Sequence, residues 1–216
     1  MNLRNLTLSI LFFCLVSMGF RCKDLPLNFD HNFQAQVDIF PLKKIYSLTD
    51  TIWIETDLPN KLLFDTKSNQ NINADTGQIP LIINYNEFAS TPNNPTNGVC
   101  DVITINGVNK NRYVFPGSVQ AYLEYGCGQP DYKTRIGFKP NYKGYYSLIL
   151  GNDHIFENCP NKVIKSYSIL SFRFKNIDLN MDILNSIPEK DRGTKEGTNF
   201  YTEKVNNREM FVFKVE

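Results

Sequence analysis

The sequence predicts a mainly β fold, an antiparallel β-sandwich, and three observations carry that expectation. Short stretches rich in Val, Ile, Thr, Tyr and Phe recur along the chain. Pro, Gly and Asn-Gly signals separate them, because these residues stop strand pairing or supply φ > 0 in turns. Helical periodicity is confined to one segment near the C-terminus. Many short strands at this spacing suit two packed sheets.

Taken in order, Gln36 to Phe40 alternates apolar and polar residues and stops at Pro41. Thr51 to Leu58 is β-branched and aromatic, and Pro59-Asn60 ends it. Lys61 to Thr66, Pro80 to Asn86, Cys100 to Ile105 and Tyr113 to Tyr125 read as further strands. So do Tyr132 to Lys139, Tyr145 to Leu150, Lys165 to Lys175, Thr198 to Lys204 and Glu209 to Val215. Asn97-Gly98 and Asn106-Gly107 are expected turns. Thr66 to Gly77, Ala89 to Gly98 and Glu189 to Thr198 are polar enough to be exposed loops. The single expected helix is Asp178 to Ile187, ended by Pro188, although Ile177, Leu179, Met181 and Ile183 also alternate as in a strand.

The N-terminus addresses the chain. Arg4 precedes an apolar run from Leu6 to Phe20, 15 residues long and broken only by Thr7, Ser9, Ser17 and Gly19. A membrane-spanning helix needs roughly 20 such residues, so the run reads as a signal peptide. The expected organisation is a signal peptide at 1–21, a tether at 22–32 and a sandwich domain at 33–216, with a subdivision near residue 160 left open. With 23 basic and 22 acidic residues, the chain carries no nucleic-acid footprint.

Five cysteines occur, and Cys14 leaves with the signal peptide. Val16-Ser17-Met18-Gly19-Phe20-Arg21-Cys22 resembles the lipobox of bacterial lipoproteins. The resemblance implies diacylglycerol and a further acyl chain (palmitate, typically) on Cys22. It implies anchoring in the cell envelope, at the outer membrane before the inner. Cleavage after Gly19, with Ser17 and Gly19 as the two small residues, is the alternative. The mature protein would then be soluble, periplasmic or secreted, with Cys22, Cys100, Cys127 and Cys159 forming two disulfides. With Cys22 acylated, Cys100, Cys127 and Cys159 are the disulfide candidates. No C-x-x-C or H-x-x-x-H spacing suggests a metal.

Two segments carry a fold resemblance. Ile45 to Ile54 looks like the tight turn and second strand of bacterial immunoglobulin-like domains. Asn141 to Leu148 resembles the Gly-x-Tyr-x-Leu entry to their penultimate strand. The resemblance implies an immunoglobulin-like sandwich in which Tyr146 packs at a corner and hydrogen-bonds back to the chain. The region after Lys165 adds strands beyond that unit.

Motifs that point to chemistry are few. Asp75-Thr76-Gly77 is the aspartic-protease tripeptide, but it occurs once, and that chemistry shares a proton between two such carboxylates. Asp178, Asn180, Asp182 and Glu189 fall at calcium-loop spacing, with Ile183 where the loop requires Gly. Asp153-His154 lies near Cys159 without a third partner. The sequence therefore names no catalytic residue, metal ligand or cofactor and predicts no enzyme. Clustered tyrosines (Tyr122 and Tyr125; Tyr142, Tyr145 and Tyr146) suit contact with a protein or glycan ligand as well as ordinary packing. The expected role is a membrane-anchored binding or accessory module, its alternatives being the soluble disulfide-bonded protein and a hydrolase whose carboxylate site the sequence does not locate.

Overall fold

A computed structural model describes residues 30–74, 77–89, 98–106, 108–125, 128–151, 154–155, 157–158, 168–175, 178–192 and 195–216. Fifteen strands appear among them: β1 (His31–Phe40), β2 (Ile45–Tyr46), β3 (Ile52–Leu58), β4 (Leu62–Asp65), β5 (Gln70–Asn73), β6 (Gly77–Phe88), β7 (Cys100–Asn106) and β8 (Val108–Phe115) come first. They are followed by β9 (Ser118–Tyr125), β10 (Tyr132–Pro140), β11 (Gly144–Leu150), β12 (His154–Ile155), β13 (Glu157–Asn158), β14 (Ser168–Phe174) and β15 (Met210–Val215). Three helices, α1 (Met181–Ser186), α2 (Glu189–Arg192) and α3 (Lys195–Asn206), precede β15.

These strands form the expected sandwich of two sheets, each mixed rather than wholly antiparallel, since β14 runs parallel to β1 and β2 parallel to β15. The first runs β12-β14-β1-β3-β10-β7, with the β4–β5 hairpin attached to β1. The second runs β2-β15-β11-β6-β9-β8, with β13 on β6. The alternation of β1 explains its place: Phe33, Ala35, Val37 and Ile39 are buried, whereas Gln36, Asp38 and Phe40 point out. After a cis Phe40–Pro41 bond the chain crosses to the second sheet, where β2 pairs in parallel with β15. It then returns as β3, antiparallel to both β1 and β10. This opening packs opposite the β15-β11-β6 part of the second sheet. Strands that follow residue 165 serve both sheets: β14 lies parallel to β1, and β15 is antiparallel to β11.

Rings fill the space between the sheets. Tyr85, Tyr146 and Phe213 pack in mutual contact, with Phe138 against Tyr85 and with Tyr46 and Phe211 against Phe213. Two tyrosines tie corners. The Tyr146 hydroxyl donates to the Tyr142 carbonyl at 2.9 Å, the corner role expected of it, and Tyr46 donates to the Pro41 carbonyl at 2.6 Å. Burial pushes the Tyr46 phenol up to about 12, so it remains a donor at any physiological pH.

Four local expectations are corrected. Tyr113 to Tyr125 is two strands, because Pro116-Gly117 turns the chain and Gly117 holds φ +71°. Part of the expected loop from Thr66 to Gly77 pairs as β5 with β4. Thr198 to Lys204 is helical, lying inside α3. Its β-type residues are overruled by packing at helical spacing: Tyr201 meets Phe88 edge-on at 5.1 Å, and Val205, four residues on, is buried. The expected loop Glu189 to Thr198 likewise contains α2 and the start of α3. The expected helix forms over Met181–Ser186 and is set off by Asn180 in the left-handed region, φ 64°. The Asn180 amide donates to the Val212 and Lys43 carbonyls at 2.7 and 3.2 Å, clamping the helix to β15. Buried Glu209 does the same at the other end, pairing with Arg173 at 3.0 Å and with Lys204.

Candidate functional site

β1 changes partners along one edge, and the change opens a cleft. Phe33 and Gln34 pair with Asp65 and Phe64 of β4, whereas Asp38 to Phe40 pair with β3. Between those ladders β3 diverges from β4 through the short turn at Pro59–Lys61. The resulting cleft has a volume of about 500 Å³ on the outer face of the first sheet.

Its floor is the outward row of β1: Gln34, Gln36 and Asp38. Asp57 and Leu58 close one side, Leu62, Phe64 and Asn71 of the hairpin form the other, and Lys175 stands beyond β1. Both carboxylates are engaged by ammonium groups, Asp38 by Lys175 at 3.5 Å and Asp57 by Lys133 at 2.9 Å. The Phe64 side chain is 39% exposed and Leu62 41%, so apolar surface lies open beside the polar floor.

The hairpin wall is held by a buried carboxylate. Asp65 accepts from the backbone N–H of Asn32 at 3.0 Å and pairs with the His31 ring at 3.1 Å. It also accepts from the Ser68 hydroxyl at 2.7 Å and the Lys67 N–H at 3.2 Å. Burial alone raises the pKa of such a group; the donors outweigh it and hold the carboxyl well below the usual carboxylate range. Thr66 N–H completes the anchor by donating to the Asn32 carbonyl at 2.8 Å.

Beyond the cleft, the same face carries an apolar row: Phe40, Trp53, Gly137 and Ile103 are cross-strand neighbours. Trp53, the chain's single tryptophan, covers Gly137, and the Arg135 guanidinium sits 4.7 Å from its ring centre. A Cβ on residue 137 would come within 2.7 Å of Thr51 Cγ2 and 2.8 Å of Trp53 Cζ3. Gly137→Ala is therefore expected to displace the indole, at a cost of about 1–3 kcal/mol in stability. Tryptophan emission read alongside a denaturant titration checks this; an unchanged spectrum with unchanged stability would contradict the close approach.

The residues singled out from sequence fall elsewhere. Cys100 is a buried free thiol at the start of β7, its pKa pushed far up by burial. Cys22, Cys127 and Cys159 lie outside the described residues, as do Asp75, Thr76 and Asp153. Asp178 and Asp182 do converge, but on the Lys44 ammonium, at 3.6 and 2.9 Å. Tyr146 is wholly buried and serves the corner, whereas Tyr122, Tyr142 and Tyr145 are half-buried. Of the cleft residues, sequence patterning marks Gln36 and Asp38 only as a polar strand face. Nothing local to Asn71, Asp57 or Phe64 announces that they meet. No family model matches the chain, and no curated protein is significantly similar to it in sequence.

Proposed function

We propose that the chain is a bacterial envelope lipoprotein, acylated at Cys22, whose sandwich domain is a binding module that uses the cleft on its first sheet. The cleft carries the binding part of this reading. It is a concave site within the roughly 300–1,000 Å³ of small-ligand pockets, with convergent polar groups and exposed apolar side chains on a rigid strand floor. The anchor rests on the lipobox-like segment ending at Cys22, ahead of β1, which begins at His31 rather than after an expected tether to residue 32. A thioether-linked diacyl chain plus an amide-linked chain holds a protein on a membrane durably, at about 0.8 kcal/mol per buried CH₂.

Intact mass and detergent partitioning test the anchor directly. The wild type is expected to begin at an acylated Cys22 and to enter the detergent phase; Cys22→Ala is expected to lose both properties. A soluble wild type beginning near Phe20 would sink the lipoprotein reading and favour the secreted alternative, although the free Cys100 thiol does not fit its two disulfides. A thiol count on the same samples follows the disulfide candidates. Cys100 should be silent in the native protein and react once it is unfolded, because burial opposes its thiolate.

A further inference from the structure

We infer that the ligand of the β1 cleft is a neutral oligosaccharide, lying along the outer face of the first sheet. This rests on the binding-module reading and goes beyond it by naming the chemistry of the ligand. Three carboxamides, Gln34, Gln36 and Asn71, line the cleft. Each offers two N–H donors and a carbonyl acceptor, the complement of a hydroxyl that both donates and accepts. Asp38 and Asp57 add acceptors able to take two hydroxyl protons each. The open Phe64 ring supplies an apolar face for the C–H side of a sugar ring.

Charge argues against ionic ligands. Asp38 and Asp57 are balanced by Lys175 and Lys133, leaving no net field to draw in a phosphate, a uronate or an ammonium compound. Polarity argues against a purely apolar ligand, which would strip water from the amides without replacing their hydrogen bonds. Topology argues against a peptide added as a strand. That mode needs an open sheet edge, but β14 lies along one side of β1, and on the other β4 and β3 take Phe33–Gln34 and Asp38–Phe40, leaving a gap of only three residues, shorter than the usual strand of about 5–6. What the cleft presents is side chains.

The length of the surface selects a chain over a single sugar. From Gln34 to Phe40 the outward row of β1 extends about 20 Å, at roughly 3.3 Å per residue. It starts in the cleft beside Phe64 and ends at exposed Phe40, next to Trp53. The polar floor thus has an apolar platform at each end, an arrangement suited to successive sugar rings.

The test titrates the purified mature domain with linear hexasaccharides of glucose, mannose and xylose. Oligogalacturonate and a set of unstructured peptides run in parallel. Heat and Trp53 emission are the readouts. Phe64→Ala and Gln36→Ala are the cleft variants; both side chains are outward-facing, so thermal midpoints should stay near wild type. Lys139→Ala, on the same face outside the cleft, is the control. The inference expects saturable binding of a neutral hexasaccharide, weakened about tenfold or more by either cleft variant and unchanged by the control. Binding confined to oligogalacturonate or peptide, weakened by the same variants, overturns the ligand class and leaves the binding module standing. If the variants alter binding of no probe, both the ligand class and the cleft reading fall.

Discussion

Tyr146→Ala is expected to cost about 3–5 kcal/mol, the range for removing a buried aromatic ring. The ring touches Tyr85 and Phe213 between the sheets, and its hydroxyl ties the strand entry to the Tyr142 carbonyl. Tyr146→Phe isolates the second contribution, expected at about 0.5–1.5 kcal/mol, because only the hydrogen bond is lost. Tyr85 is the contrasting case. Its hydroxyl is buried and, among the described residues, has no hydrogen-bond partner. Tyr85→Phe is therefore expected to be neutral or stabilising, by up to about 1–2 kcal/mol, since it relieves an unpaid desolvation. Thermal midpoints separate the three variants, at about 2–4 °C per kcal/mol for a chain of this size. Tyr85→Phe destabilised as much as Tyr146→Phe would show that the two hydroxyls are alike, contrary to the hydrogen-bond pattern.

Asp65 should set the acid limit of both stability and binding. Its folded carboxyl titrates below the unfolded value of about 3.9, so the fold binds this proton less readily than the unfolded chain. The stabilisation is fully present above that unfolded value. It is lost progressively as pH falls below it, towards the lower folded pKa. The structural consequence is local: a protonated Asp65 can no longer hold His31, Ser68 and the Asn32 and Lys67 N–H groups together, and the β4–β5 hairpin loosens. Asp65→Ala is expected to cost about 2–4 kcal/mol at neutral pH by orphaning those donors. Leu62, Phe64 and Asn71 stand on that hairpin, so ligand affinity should fall along with stability. Urea titrations from pH 7 to pH 3 check the claim. A wild type and an Asp65→Ala variant with parallel pH profiles would show that the carboxyl contributes no acid dependence.

Much of the fold was legible because strand propensity and binary pattern agree over most of the chain. Alternation in Gln36 to Phe40, β-branched density in Thr51 to Leu58 and the Gly144-Tyr145-Tyr146 entry each describe a half-buried sheet residue by residue. The Tyr146 corner was legible as a resemblance and proved to be a hydrogen bond of ordinary length. The helices were less legible. α3 carries Thr198, Phe200, Tyr201, Thr202 and Val205, whose local preference is extended, and it is helical because one face lies on Phe88 and the outer side of the second sheet. The carboxylates of Asp178 and Asp182 have calcium-like spacing, yet their partner, Lys44, lies 134 and 138 positions away in sequence and comes to them only through folding.

The sequence by itself determined the class of fold and the alternation of inward and outward residues in strands such as β1. These depend on composition and on periods of two residues, which are local quantities. The cleft was decided only by tertiary structure. It exists because β1 exchanges one partner for another in mid-strand, placing Gln36, Asp57, Phe64 and Asn71 around one hollow. No period in the chain encodes that exchange; it is set by where β3 turns away at Pro59 and where Asp65 pins the returning hairpin to Asn32.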